Sequence, residues 1–484
     1  MDLEYMKLRI VETTSPRRSS SAVNLYLPEG NFNKTLLITT RDRRQVIARL
    51  PNPNAGFPHY TTASEVATMD YFRRHLKIPI PKVLSYNTDA VANAVGAEYI
   101  IMEKCPGIEL TRFWDQMTGT DKVNVGSLYY AKDIPDIKDT EVDETFSVGP
   151  TTIRTWFDDK RGIIAVPRGP WRSAEDVLVA IVNRELACLD TFSRSLRDRQ
   201  QGIFNGPGGF EPTKKMKEAV IRNYSSILPF ILPEDEAYTA SVLWHNDLHS
   251  ENILVNEDCP TEITGIIDWQ CVHLGPALLH VHYPSLVDYG GPMLGCFELP
   301  ELPDNFSELD PISQAKAQEL HTSQTIWGLY NIFIQKQALD LLRVLRYRDT
   351  LQCQIMGLIE AIFDDGEPYV QSMISQLVES GIWDQVVKAA GRNPDDTPCP
   401  LAYTSEEISN QQNELARWEK DIRRKARVIK EVGAYTGWDG AVSLNEHGIM
   451  SEQLKDAKTK FLGEEAKTSE ERAEWVKVWP FQDS

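Results

Sequence analysis

Positive charge is scarce in this chain: 51 lysines and arginines stand against 70 aspartates and glutamates over 484 residues, a formal charge of −19. Nonspecific affinity for nucleic acid or anionic membrane rests on clustered Lys and Arg, so the balance disfavours both partners. The shortage is uneven. The first sixty residues hold nine Lys/Arg and five Asp/Glu, which leaves the remainder more acidic than the average. Cysteines number seven, scattered from Cys105 to Cys399 with no C-x-x-C pair. That excludes a disulfide framework or a structural zinc site as the organising principle and points to a reducing compartment. No apolar run approaches bilayer-spanning length, no repeat period or low-complexity tract appears, and neither a G-x-S-x-G elbow nor a dinucleotide fingerprint is present. Asp2, Glu4 and Glu12 give the N-terminus an acidity unlike a mitochondrial presequence, against which Arg17, Arg18 and Ser19 to Ser21 are a weak counter-signal. Composition therefore points to the cytoplasm.

What is there is an ordinary globular composition, 42% apolar and 25% charged, at a length that allows two to four lobes. One motif dominates: His245-Asn246-Asp247-Leu248-His249-Ser250-Glu251-Asn252, then Ile253-Leu254-Val255, then Ile266-Ile267-Asp268. A loop and hairpin thus carry two carboxylates and a carboxamide, the parts needed to hold Mg²⁺ against a nucleoside triphosphate. The pattern H-x-D-x-x-x-x-N with a β-rich bridge to a second Asp is that of kinases, in which catalysis is mostly positioning plus electrostatics. Asp247 is the expected general base or acceptor-orienting group, an ordinary carboxylate pKa sufficing for a loose transition state. Asn252 and Asp268 are the expected ligands of Mg²⁺, a hard ion that prefers oxygen donors. His245 is expected to hold the loop through a ring hydrogen bond to backbone. His249 either contacts substrate or fills a loop position. The four-residue spacing of His245 and His249 also raises a zinc protease, but that helix needs Glu directly after its first His, where Asn246 stands.

These residues resemble the aminoglycoside phosphotransferase superfamily, which includes choline kinase-like enzymes. Asn246 and Gln270, where protein kinases carry Arg and Gly, shift the expectation from protein to small-molecule acceptors. Val46 to Pro51, Thr62 to Met69 and Tyr99 to Lys104 further resemble a fungal subgroup named for altered inheritance of mitochondria, and this name pulls the expected location toward that organelle. The resemblance runs from about Asn24 to Phe481 and implies an α+β, bilobal, protein-kinase-like fold. A small mixed-sheet N-lobe with one helix would cover the nucleotide over residues 1–103, with 1–22 poorly ordered. A large, mainly helical C-lobe would span 104–400, and a helical extension packed on it 401–484. The segment from Thr118 to Val125 is shorter than this family implies.

The periodicities agree with that plan. Leu36 to Ile38 and Val46 to Ala48 read as strands around the polar tip Thr39 to Arg44. A helix starts near Thr62 and stops before Ile78-Pro79, and Val83-Leu84 and Tyr99 to Met102 supply two more strands. Further helices are expected over 173–195, 214–226, 315–345, 350–363 and 368–379. Leu415, Trp418, Ile422, Val428 and Ile429 mark an amphipathic helix in the last eighty residues.

Several N-lobe residues have two readings. Gly30, Asn31 and Asn33 fall where backbone amides could cradle phosphates, although one glycine also suits a plain tight turn. Arg49 stands at the position of the strand lysine that grips phosphates, and the alternative is a surface Arg at a strand end. Glu65 is its expected helix partner, while Thr62-x-x-Glu65 also spells a capping box. Met102, Glu103 and Cys105 would form the adenine hinge by analogy alone. Asp288, Glu298, Glu301, Asp304, Glu308 and Asp310 could receive a cationic acceptor or form a solvated loop. The expected partners are ATP with Mg²⁺ and an unidentified hydroxyl-bearing small molecule, with no nucleic acid and no membrane span. The rival class is a nucleotide-binding pseudokinase acting as a regulatory or scaffold protein, favoured by Arg49, the short 118–125 segment and the charged C-terminal region.

Overall fold

The computed structural model describes residues 22–26, 32–39, 45–76, 78–105, 108–109, 125–137, 140–158, 160–192, 205–259, 262–287, 289, 291, 300–434, 447–479 and 481. Gly30, Asn31, Asp288, Glu298 and most of the 118–125 segment lie outside them. The fold is α+β, with all paired strands antiparallel. The chain divides into two compact units: 1–154 with 168–174 and 236–350, and 155–167 with 175–235 and 351–484.

The first unit holds every strand among the described residues. Strands β1 (Ala22–Tyr26), β2 (Asn33–Thr39), β3 (Gln45–Pro51), β4 (Val83–Asn87) and β5 (Tyr99–Glu103) form a sheet in the order β1-β2-β3-β5-β4. Helix α1 (Tyr60–Tyr71) lies between β3 and β4 in sequence and continues through a π turn, Phe72–Leu76. Period-two alternation sorts β3: Val46, Ala48 and Leu50 join Leu36, Ile38, Tyr99 and Ile101 in one apolar layer. Ile47 and Arg49 therefore project to the other face, where Ile47 packs with Val66, Met69 and Phe72 of the helical segment.

The remaining strands are short. Ile108–Glu109 (β6) pairs with Ile253–Val255 (β10), which pairs with Ile263–Ile266 (β11). Ser127–Tyr130 (β7) and Phe146–Gly149 (β8) form a ribbon, as do Ser241–Trp244 (β9) and His273–Pro276 (β12). The β7–β8 ribbon explains why α1 is buried on nearly all sides: Ala63 packs on Tyr129 and Ala67 on Leu128 and Phe146. Small residues along α1 are what let two layers close on it.

The expected helix 315–345 is two helices, α2 (Pro311–Gln337) and α3 (Leu339–Tyr347), broken where Ala338 takes φ −145°, ψ 63°. Asp310 caps α2 by accepting from the amides of Ile312 and Ser313, with Pro311 at the first helical position.

The second unit is helical in the described residues, with helices including Ala174–Thr191, Lys214–Ile231, Leu351–Leu358, Glu367–Gln376 and Ser405–Glu431. Thr404 and Glu407 form a capping box at the start of the last of these. Its expected amphipathic stripe buries Val428 and Ile429. Trp418 stacks on Tyr369 and donates its indole N–H to the Asp365 carbonyl at 2.7 Å. No described helix is long and apolar enough to cross a membrane.

Candidate active site

The site lies within the first unit. Arg49, buried on β3, is its hub. Its Nη1 donates to Glu65 Oε1 on α1, and its Nη2 donates to Asp268 Oδ1 at 2.5 Å and to Gln270 Oε1 at 2.8 Å. This use of both ends of a planar fork is open to Arg and closed to the compact ammonium of Lys. Burial works against the Arg49 charge, but Glu65 and Asp268 outweigh it and hold the guanidinium protonated. Burial lifts the Glu65 carboxyl to about 7, with Arg49 opposing and Asp268 adding to the rise. The capping-box reading of Thr62 and Glu65 does not hold. His59 is the N-cap and makes no side-chain cap bond, and the Thr62 hydroxyl donates to Glu98 Oε2 at 2.5 Å. Arg49 claims Glu65 because an unpaired carboxylate at this depth would be costly.

Residues 245–252 are stitched to the segment that follows β11 and carries Asp268. Burial depresses the His245 pKa and keeps its ring neutral. Nδ1 accepts the Asp247 amide N–H at 3.3 Å, so the other ring nitrogen, Nε2, carries the proton and donates it to the Ile267 carbonyl at 3.1 Å. The Ile267 amide in turn donates to the Asn252 carbonyl at 2.9 Å. Asn252 Nδ2 donates to the Asp247 carbonyl at 2.8 Å and lies 3.0 Å from His249 Nε2. The bond to the Asp247 carbonyl ties its amide nitrogen to the loop and leaves the side-chain oxygen for a cation. His249 also accepts the Glu251 amide N–H at Nδ1, which makes it a loop cap. The Asp247 side chain is 67% exposed and has His249 Nε2 at 3.7 Å, so it is open to an incoming hydroxyl.

Asp268 sits at φ +60° and Cys271 at φ +58°. Non-glycine residues there cost of order 1–3 kcal/mol each and persist where surroundings over-determine them. Trp269 supplies that constraint. It is fully buried, donates its indole N–H to the Ile266 carbonyl at 2.9 Å, and lies 4.6 Å from the Phe72 ring and 4.8 Å from the His245 ring, centroid to centroid. Burial also pushes the Cys271 thiol up to about 12, helped by the charge of Glu65, so it stays protonated.

Asn33 is buried near the same point and donates from Nδ2 to Gln270 Oε1 at 2.6 Å. Gln270 donates in turn to the Ala55 carbonyl. Sequence reading noted Gln270 only as a departure from glycine. Its signal as a site residue was the replacement itself, since a carboxamide offers an acceptor that glycine lacks. At the expected hinge, Met102 is buried between β3 and β4, and Cys105 Sγ packs so closely on Gly265 that an added Cβ there would lie 2.8 Å away. The Glu103 amide already donates to the Lys82 carbonyl at 3.0 Å. It is therefore not a free donor for a purine.

Asp268 and Asn252 offer a carboxylate and an amide oxygen, a hard donor set that suits an ion taking one or two protein ligands and keeping its waters. Among the described residues no three His, Cys, Asp or Glu side chains gather into a metal-binding group, and this donor set needs none.

Residues 211–279, which include the His245 to Asn252 motif and Asp268, match the family model described as "Phosphotransferase enzyme family". A subtelomeric hrmA-associated cluster protein of Aspergillus fumigatus is 27% identical over 460 residues, covering 83% of this chain and 86% of that protein. Altered inheritance of mitochondria protein 9, mitochondrial, of Candida tropicalis is 22% identical over 476 residues, covering 88% and 74%. Among solved structures, the macrolide 2'-phosphotransferase of Brachybacterium faecium aligns at 12% identity and TM-score 0.26 over 74% of this chain and 98% of that one, a likeness too slight to bear on mechanism. Residues 211–279 are thus similar to the phosphotransferase enzyme family, and most of the chain is similar to the fungal altered-inheritance-of-mitochondria and hrmA-associated cluster proteins.

Proposed function

We propose that this protein is an ATP- and Mg²⁺-dependent phosphotransferase that moves the γ-phosphate to a hydroxyl of a small molecule. The observation that carries the reading is the meeting of Arg49, Glu65 and Asp268, with Asn252 and Asp247 held on the adjoining loop. In it, Asp247 accepts a hydrogen bond from the acceptor hydroxyl and takes its proton as the phosphoryl group transfers. His245 orients that loop without touching the reacting atoms. Arg49 and Asn33 are assigned to the phosphates, together with Gly30 and Asn31, which lie outside the described residues, and Met102 and Cys105 to the base, with Glu103 contributing other than through its engaged amide. Asn252 and Asp268 hold Mg²⁺, whose contribution when bound is to neutralise phosphate charge. Residues 1–103 then serve as the nucleotide-covering lobe and 104–400 as the lobe that supplies the loop. The names of the yeast relatives extend to this chain the proposal that it works in mitochondria, whereas its composition favours the cytoplasm.

A second reading is supported by the Arg49–Asp268 ion pair. An arginine resting on the metal carboxylate suits a nucleotide-binding protein with little turnover, a regulatory or scaffold role. The two separate by experiment. An ADP-release screen of amino alcohols, sugars and aminoglycosides identifies the acceptor. With that acceptor, Asp247→Asn is expected to keep Mg-ATP affinity while cutting kcat by roughly two orders of magnitude or more. Wild-type protein that binds ATP and releases no ADP with any acceptor supports the scaffold.

A further inference from the structure

A cavity of about 500 Å³ lies between the C-terminal end of α1 and the β9–β12 ribbon. Phe72, Leu128, Trp244, Leu274 and Val344 form apolar parts of its wall. The volume falls in the range of small-molecule sites, about 300–1,000 Å³. None of Arg49, Asp247, Asn252 or Asp268 lines it, so it is separate from the candidate active site.

Its charges select the occupant. Among the described residues that line it there is no Lys, Arg or His, and the only carboxylate is Asp340. That carboxylate is engaged by Arg343 Nη1 at 3.0 Å. An anion would find no counter-charge here, and for a cation the one carboxylate is a solvent-exposed group already paired with Arg343, a weak anchor. Gln337 can satisfy one or two neutral polar atoms.

The walls also belong to the elements that carry the site. Trp244 directly precedes His245, and Leu274 lies on β12, the strand that follows Asp268 in the chain. Phe72 packs against Trp269 with the two rings tilted, and Trp269 meets the His245 ring edge-on. We propose that the cavity binds an uncharged, mainly apolar small molecule, and that occupancy is felt at the catalytic loop through Phe72, Trp269 and His245. The first half stands without the phosphotransferase reading; the second rests on it for its meaning.

The test titrates the full chain with N-phenyl-1-naphthylamine, a neutral apolar fluorophore, and follows hydrogen exchange in peptides covering residues 245–270. Saturable one-to-one binding is expected, weakened at least about tenfold by Ala237→Trp and by Ala338→Trp. Both positions line the cavity and are partly exposed, so the added ring fills space without entering a tight core. Circular dichroism and melting temperature confirm that each variant is folded. Exchange over 245–270 is expected to slow on binding. Unsaturable binding, or binding indifferent to both filling variants, overturns the site. Saturable binding with unchanged exchange at 245–270 overturns the coupling. Neither readout uses ATP, so failure here is distinguishable from failure of the phosphotransferase reading.

Discussion

Arg49 and Asp268 stand 219 positions apart in the chain and meet at 2.5 Å, Nη2 to Oδ1. The same guanidinium serves Glu65, whose carboxyl burial lifts to about 7, so the cluster gains an excess negative charge as Glu65 ionises. Such a cluster is poised to take up a cation, and Asp268, 39% exposed, is the member that solvent and ions can reach. Arg49 thereby does two jobs that a lysine could not do at once: it pairs with the buried Glu65 and it anchors the Asp268 carboxylate.

Arg49→Ala should destabilise the protein by about 3–5 kcal/mol, because it strands Glu65 as a buried carboxylate without a partner. Arg49→Lys should cost less, since the ammonium can keep Glu65 while giving up the fork to Asp268 and Gln270. Urea denaturation of the two variants checks the order. Equal losses would mean that the fork geometry contributes nothing.

The Glu65 carboxyl gives a pH signature. Its pKa is about 7 in the folded protein against an ordinary 4.5, so between those values the folded state binds more protons than the unfolded state. The contribution of Glu65 to stability is therefore full below pH 4.5 and declines as pH rises to about 7. Glu65→Gln lacks this decline. The stability difference, wild type minus variant, should fall steadily from pH 4.5 to pH 7 in urea denaturation, and a flat difference would show that the carboxyl titrates alike in the folded and unfolded chain.

Trp269 anchors Phe72 on one side and His245 on the other. Trp269→Ala should cost about 3–5 kcal/mol through the cavity it opens. Trp269→Phe keeps an aromatic ring in the stack but loses the bond to the Ile266 carbonyl, and should cost less. Hydrogen exchange at the Ile267 amide, held by Asn252, should quicken more in the alanine variant than in the phenylalanine one. No difference between the variants would separate the ring stack from the loop.

Much of this arrangement was legible in the sequence because it rests on local spacing. His245, Asp247 and Asn252 lie on one loop, and the apolar runs on either side fix the β10–β11 hairpin that delivers Asp268. Alternation along β3 places Arg49 opposite its apolar layer, and the helix after it carries Glu65 within reach. Contacts between distant segments were not legible. Gln270 joins Asn33, Arg49 and Ala55, a convergence with no periodic signature. The break at Ala338 is equally silent, since alanine has no intrinsic reason to leave a helix and tertiary packing decides it. The Thr62–Glu65 capping motif misled because a buried arginine outcompetes a local cap for the same carboxylate.

The most direct measurement is calorimetric titration of ATP into the wild-type protein, with saturating Mg²⁺ and again with EDTA. The account predicts one-to-one binding that requires Mg²⁺ and is lost in Asp268→Ala while the fold survives. Absence of binding at millimolar ATP, or binding indifferent to both Mg²⁺ and Asp268, would contradict it.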